Sequence, residues 1–216
     1  MQKYRTIVAD PPWILKMGKS RTMGEHGGWN KAEYMGIAEL QYPQMTVEQI
    51  AALEIPAEKD AHCYIWTINK YVEQTYQIMR AWGFKPSQLL TWGKTPMGLG
   101  LGGTFVNTSE FILFGRRGNL PAKTRIDSTW WNWKRGAHSQ KPEAFQDMVE
   151  AVSHPPYLEM FARRYRLGWD VWGNEVSPNV EIQLRLPTSR AVDMATPSEN
   201  GEALHNQISG ERGSVA

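Results

Sequence analysis

The 216-residue chain contains a single cysteine, Cys63. One thiol excludes an internal disulfide framework and any cysteine-built metal site. It lies in the apolar run AHCYIW, which predicts a buried, inert side chain. No apolar stretch approaches the ~20 residues that a membrane-spanning helix needs. No charged-then-apolar leader precedes the first apolar run, so a soluble, cytoplasmic protein is expected. Net charge is scarce too: 24 Lys and Arg oppose 22 Asp and Glu, a formal +2. That is a weak electrostatic signal for binding a polyanion. The five histidines show no metal-ligand spacing, and no metal is expected.

Apolar residues are plentiful: 41 % are hydrophobic, and ten are tryptophan. This length and composition suit one domain with a full core. Some tryptophans belong to that core and others can form stacking surfaces. From Leu186 the chain turns polar, small-residue-rich and aperiodic. Residues 187–216 therefore read as a disordered tail beyond a domain of residues 1–186. The tail carries two arginines against four acids, which leaves the body an excess of four positive charges. Body cations cluster at Lys16, Lys19 and Arg21; at Arg116 and Arg117; at Lys134 and Arg135; and at Arg163, Arg164 and Arg166. Each cluster reads as a solvated face or as part of a phosphate-binding surface.

RTIVAD is short, apolar and β-branched, the pattern of a buried parallel strand. Residues 14–44 are glycine-rich and polar without a period, which predicts a long functional loop. MTVEQIAAL opens a helix, with Thr46 as N-cap and Gln49 completing a capping box. AHCYIWTI reads as a strand, and NKYVEQTYQIMRAWGF as an amphipathic helix ending near Gly83. SQLLTWGK and NTSEFILFGRRG read as further strands. KPEAFQDMVEAVS is a helix with Pro142 in its first turn. YLEMFAR and GWDVWGNE complete the strand set. Strands alternating with helices imply an α/β sheet with short crossovers. The GLGLGG run, Gly98–Gly103, satisfies G-x-G-x-x-G, but a strand-like segment follows it where a dinucleotide fingerprint needs a helix. It reads as a flexible loop.

The first strand ends in Asp10-Pro11-Pro12-Trp13. In open α/β sheets, ligands bind beyond the carboxyl ends of strands. An ionised aspartate only accepts hydrogen bonds, and Pro11 keeps a carbonyl but has no N–H. Two prolines pre-set the backbone, and Trp13 adds a flat face. Two acceptors and an aromatic plane suit a nucleobase with an exocyclic amine. Such an amine is a poor nucleophile, because its lone pair is delocalised into the ring. Two acceptors gripping its hydrogens favour a pyramidal nitrogen with a localised pair. The competing reading is an ordinary strand-end turn with an aspartate cap.

The DPPW tetrapeptide resembles the catalytic motif of amino-methyltransferases. The ordered set around it resembles the MT-A family of N6-adenine methyltransferases. That set comprises YPQMTVEQI, the AHCYIWTINKY strand and helix, TWGKT, FVNTSEF, HSQKPEAF and LEMFARRYRLGWDVWGNEV. The resemblance implies a Rossmann-like fold with a mostly parallel central sheet flanked by helices. It implies S-adenosylmethionine (SAM) as methyl donor, and Asp10, Pro11, Pro12 and Trp13 at the target amine. It places Asp10, Lys141, Arg163, Asn174 and Glu175 around the cofactor, with Lys141 toward its carboxylate. Which of Arg163 and Arg164 serves there is open. Substrate contacts are expected from Trp13, Tyr42, Asn107, Lys16, Lys19, Arg21, Trp131, Lys134 and Arg135. STWWNWKRG offers either stacking faces beside cations or a patch packed on the core. DNA with its adenine flipped out is the expected substrate. RNA and a non-catalytic nucleic-acid-binding subunit are the alternatives.

Overall fold

In the computed structural model, Tyr4–Ala9 forms β1, and five of its six side chains are buried. Residues 2–14, 21–23, 29–31, 44–94, 104–134 and 140–184 are described. Arg21–Met23 (β2) and Trp29–Lys31 (β3) pair as a short antiparallel ribbon. That corrects the expectation of an unbroken loop over residues 14–44, because two three-residue runs are too short for periodicity to register. Side chains of residues 15–43, Arg21 among them, lie outside the described set. So do residues 95–103 with the GLGLGG segment, Arg135, and the tail from residue 187 onward.

The remaining strands are β4 (Ala57–Thr67), β5 (Lys85–Gly93), β6 (Ser109–Arg117), β7 (Trp130–Trp131), β8 (Tyr157–Met160) and β9 (Trp169–Trp172). With β1 they make one seven-stranded sheet in the order β7-β5-β6-β4-β1-β8-β9. The sheet is mostly parallel; β6 alone runs against both neighbours. From β1 the chain crosses to β4 on one side, and only much later returns to β8 on the other. The carboxyl ends of β1 and β8 therefore diverge at a topological switch point, where open sheets bind ligands.

Helices cover both faces. On one side lie α1 (Val47–Ala51) and α2 (Val72–Ala81), and on the other α3 (Glu143–Val152). Strand alternation divides the apolar residues between them. Ile7, Ala9, Cys63 and Ile65 join one cluster with Ile50, Ile78 and Met79. Val8, Tyr64 and Trp66 join the other with Phe145 and Val149. Cys63 is buried, and burial raises its thiol pKa far out of the reactive range. His62 is buried with both ring nitrogens bonded, one 2.8 Å from Ser153 Oγ and one 3.0 Å from the Leu120 carbonyl.

The capping box forms as the local sequence dictates. Gln49 N–H donates to Thr46 Oγ1 at 3.2 Å, and Thr46 N–H donates to Gln49 Oε1 at 2.8 Å. Gly83 takes φ +81° after α2, a backbone that L side chains avoid, and so lets Phe84 N–H close on Met79 O. Pro142 is the N-cap of α3 and lies outside its first turn; with ψ 135° it is extended backbone. Among the described residues, no helix is long and apolar enough to cross a membrane.

Candidate active site

The site grows from the strand ends at the switch point. Asp10 follows β1 directly, and its N–H donates to the Met160 carbonyl at the end of β8. Pro11 O accepts from Trp13 N–H at 2.9 Å, and Pro12 O accepts from Met45 N–H at 3.0 Å. The DPPW backbone is therefore pinned on both sides. A carbonyl oxygen has two lone pairs, so Pro11 retains one.

Trp13 corrects the sequence expectation. It is not a displayed plane but only 7 % exposed. Its indole stacks on Tyr71 at 4.9 Å and 16°, and its Nε1–H donates to Trp66 O at 3.3 Å. Tyr71 also donates its hydroxyl to Ile14 O at 2.5 Å, and Lys70 donates to the same carbonyl at 3.3 Å. Trp13 thus anchors the turn that carries Asp10.

A chain of alternating charges surrounds Asp10. Lys141 Nζ lies 2.8 Å from Asp10 Oδ2 and 3.4 Å from Glu110 Oε2, and Lys94 Nζ lies 2.5 Å from Glu110 Oε1. The side chains of Lys141, Asp10 and Glu110 are 20 %, 14 % and 16 % exposed. The Lys141 ammonium also sits 5.1 Å from the Trp66 ring centroid. Burial works against charge on Lys141, but Asp10 and Glu110 outweigh it and raise its pKa above the ordinary lysine value. Burial likewise opposes charge on Glu110, and Lys141 with Lys94 overcomes it and holds the carboxyl below its ordinary value. Glu159, on β8, accepts from Gln146 Nε2 at 2.6 Å. Burial pushes its carboxyl up to about 7; Arg164 draws it back and the Asp10 charge adds to the rise.

Beside Asp10 opens a cavity of about 300 Å³. Its polar wall is Asp10, Arg163, Asn174 and Glu175, and its apolar wall includes Met45, Leu53, Phe161 and Trp172. Arg163 Nη1 lies 3.4 Å from Glu175 Oε1. The neighbouring Arg164 turns away, to Gln146, Glu143 and the Lys141 carbonyl. Gly173 joins the two strand ends: a Cβ there would lie 2.4 Å from Ala162 O and 2.6 Å from Ala162 N.

The family of the chain follows from comparison with known proteins. The MT-A70 family model matches residues 4–175, a stretch that runs from β1 to Glu175 at the cavity. The chain belongs to the MT-A70 family. Its Rossmann-like methyltransferase fold agrees with the mostly parallel, helix-flanked sheet. Relatives include the type II methyltransferase M.MunI of a Mycoplasma species, 27 % identical over 89 % of this chain and 84 % of that protein. A probable N(6)-adenosine-methyltransferase MT-A70-like protein of Oryza sativa is 26 % identical over 81 % of this chain and 23 % of that one. The zebrafish N(6)-adenosine-methyltransferase subunit METTL3 is 24 % identical over 81 % of this chain and 28 % of that one. The chain thus spans only about a quarter of these two eukaryotic relatives.

Several expected substrate contacts sit otherwise than the sequence suggests. Trp131 stacks on Trp133 at 5.0 Å, and Trp133 packs on Phe145, so the core-patch reading of that segment holds for both. β7 pairs with β5 because a two-residue edge strand needs no periodicity to form. Trp130 is the open member, at 56 %. Asn107 and Lys134 are exposed, at the approach to β6 and beyond β7. Lys16, Lys19, Tyr42 and Arg135 fall outside the described residues, as does the side chain of Arg21. Three clustered cations are used within the fold, which is neither the solvated face nor the phosphate-binding surface that such clusters suggest. Arg117 donates to the Trp82, Gly83 and Ala57 carbonyls. Arg164 binds α3, and Arg166 pairs with Asp147 and Glu150. Glu110 and Lys94 went unnoticed as site residues. Their only signal was membership of the NTSE and TWGK motifs.

Proposed function

We propose that this chain transfers a methyl group from SAM to the exocyclic N6 amine of adenine in DNA. The observation that carries the reading is Asp10, whose carboxylate stands at the switch point on the edge of a cavity lined by Asn174 and Glu175. SAM supplies an electrophilic methyl on a sulfonium when bound. The cavity suits it chemically: Glu175 and Asn174 can bond hydroxyl groups, the apolar wall suits a purine, and Asp10 attracts positive charge. Asp10 and Glu110 engage two of the three N–H groups of Lys141. The third is suited to a cofactor carboxylate. Of the two arginines, Arg163 is the cofactor residue, since Arg164 is committed to α3.

Asp10 and the Pro11 carbonyl grip the hydrogens of the target amine, so that its lone pair is localised toward the methyl. Asp10 then takes up the proton released by transfer, and Lys141 steadies its charge. Trp13, held by Tyr71 and Trp66, fixes the aim of both acceptors. Positioning of this kind is worth up to ~7–11 kcal/mol of barrier. Adenine in a duplex must leave the stack to reach Asp10.

DNA is preferred over RNA because the relative of comparable length is a type II methyltransferase. These two adenosine-methyltransferases are about four times as long as the stretch this chain covers. Labelled SAM, the purified chain and matched DNA and RNA oligonucleotides lacking N6-methyladenine provide the test. Label in DNA at the adenine amine, lost in Asp10→Ala, is expected. Label in RNA alone refutes the substrate, and none in either refutes the activity.

A further inference from the structure

We infer that residues 180–184, which lie beyond the family-matched stretch, form a strap that walls the cofactor cavity, with Leu184 and Ile182 as the contacts for the purine of SAM. This rests on the reading of the cavity as a SAM site. The family match ends at Glu175, yet Ile182 and Leu184 both line the cavity.

The strap is tied at both ends. At its start, Val171 N–H donates to Asn179 Oδ1 at 2.7 Å, and Asn179 N–H donates to Val171 O at 3.2 Å. Asn179 Nδ2 adds a bond to Asp170 Oδ1 at 2.7 Å. These bonds also occupy the outer edge of β9, which would otherwise present unpaired groups. At its end, Glu54 N–H donates to Gln183 O at 2.8 Å, and Leu184 makes an antiparallel bridge to Leu53. Between the ties, Val180 and Ile182 pack on the core.

The cavity lining is grouped by chemistry: Arg163 and Glu175 stand together, 3.4 Å apart, whereas Leu184 is bridged to Leu53, and Ile182 lies two residues before it on the strap. SAM has a charged amino-acid end and a flat, weakly polar purine end. With the carboxylate toward Lys141, the positive charge toward Asp10 and the hydroxyl groups on Glu175, the purine is directed to the strap. Leu184 is 53 % exposed although it lines the cavity. A planar ring seated there removes that apolar surface from water, a gain available only in the complex.

Calorimetry on the full chain tests this, with SAM, adenosine and methionine as separate probes. Leu184→Ala is expected to weaken SAM and adenosine about tenfold, as loss of one buried apolar contact does. Leu184→Asp weakens them further, and methionine is unaffected by either. Leu167→Ala, at a fully exposed site away from the cavity, leaves all three unchanged. Melting temperatures of the unliganded Leu184 variants should match the wild type, which separates lost contact from lost fold. Wild-type binding of SAM that both Leu184 variants retain overturns this inference alone. A wild-type chain that binds no SAM overturns the functional reading and the strap's role together.

Discussion

Replacing Lys141 by Met removes a cation shared by Asp10 and Glu110 while keeping most of the side-chain volume. Both carboxylates are at least five-sixths buried, so the loss is not offset by water. Breaking a buried pair by deleting one partner costs about 3–5 kcal/mol. Lys94 remains beside Glu110 at 2.5 Å, which argues for the lower end. About 3 kcal/mol corresponds to a melting temperature lower by ~6–12 °C in a domain of this size. The pH dependence gives a second reading. Glu110 is held below its ordinary pKa, so its stabilisation is present above the carboxylate range and lost as pH falls through it. Without Lys141, burial opposes Lys94 alone and the carboxyl pKa rises. The variant's melting temperature should therefore fall less steeply than the wild type's between about pH 6 and about pH 3. Lys141 contributes at the other extreme. Its pKa is raised, so its stabilisation holds below the ordinary lysine value and disappears at strongly alkaline pH. Melts followed by circular dichroism measure both limbs, and Glu110→Gln in the Lys141→Met background should recover part of the loss. A Lys141→Met protein melting within about 1 °C of wild type, with the same acid limb, refutes the charge network as a source of stability.

Two further perturbations probe the frame of the site. Gly173→Ala puts a Cβ against the Ala162 backbone at 2.4 Å, so the ends of β8 and β9 must separate. SAM affinity should drop at least tenfold and the melting temperature should fall; unchanged values for both refute the close approach. Tyr71→Phe keeps the stack on Trp13 but deletes the bond to Ile14 O, worth about 1 kcal/mol. A lower kcat at nearly unchanged KM for SAM is expected, with Tyr71→Ala losing more, and an unaltered kcat in both variants removes Tyr71 from the positioning of DPPW.

What the sequence made legible is mostly local. β1, the α2 stop at Gly83 and the Thr46–Gln49 box follow from neighbours a few residues apart. Their physics is complete within one segment. The burial of Trp13 was not legible, because Tyr71 stands 58 positions on and nothing near Trp13 announces it. The direction of β6 was not legible either, since alternation has no polarity. Cation clusters are ambiguous because a short run of charges does not show which partners the fold brings to it. Arg116 is exposed, yet its neighbour Arg117 is spent on the carbonyls that end α2. Of the residues the motifs suggest, Asp10, Arg163, Asn174 and Glu175 line one cavity, but motif order does not show how they meet. Glu110 sits in the NTSE motif, and only the return of β6 beside β4 brings it to Lys141.

The reversed strand explains why that meeting is possible. In a purely parallel sheet, residues entering a strand lie at the opposite end from those leaving one. β6 runs the other way, so its first residues stand beside the carboxyl ends of β4 and β5: Phe111 pairs with Thr67, and Ser109 with Gly93. Glu110 therefore enters the site from the start of a strand, whereas Asp10 enters from the end of one. Lys94, just past β5, reaches it from the adjoining hairpin arm. The Asp10 carboxylate thus rests on a network that one antiparallel strand makes possible. A strand inserted in the parallel sense would send Glu110 to the far edge and leave Lys141 to Asp10 alone.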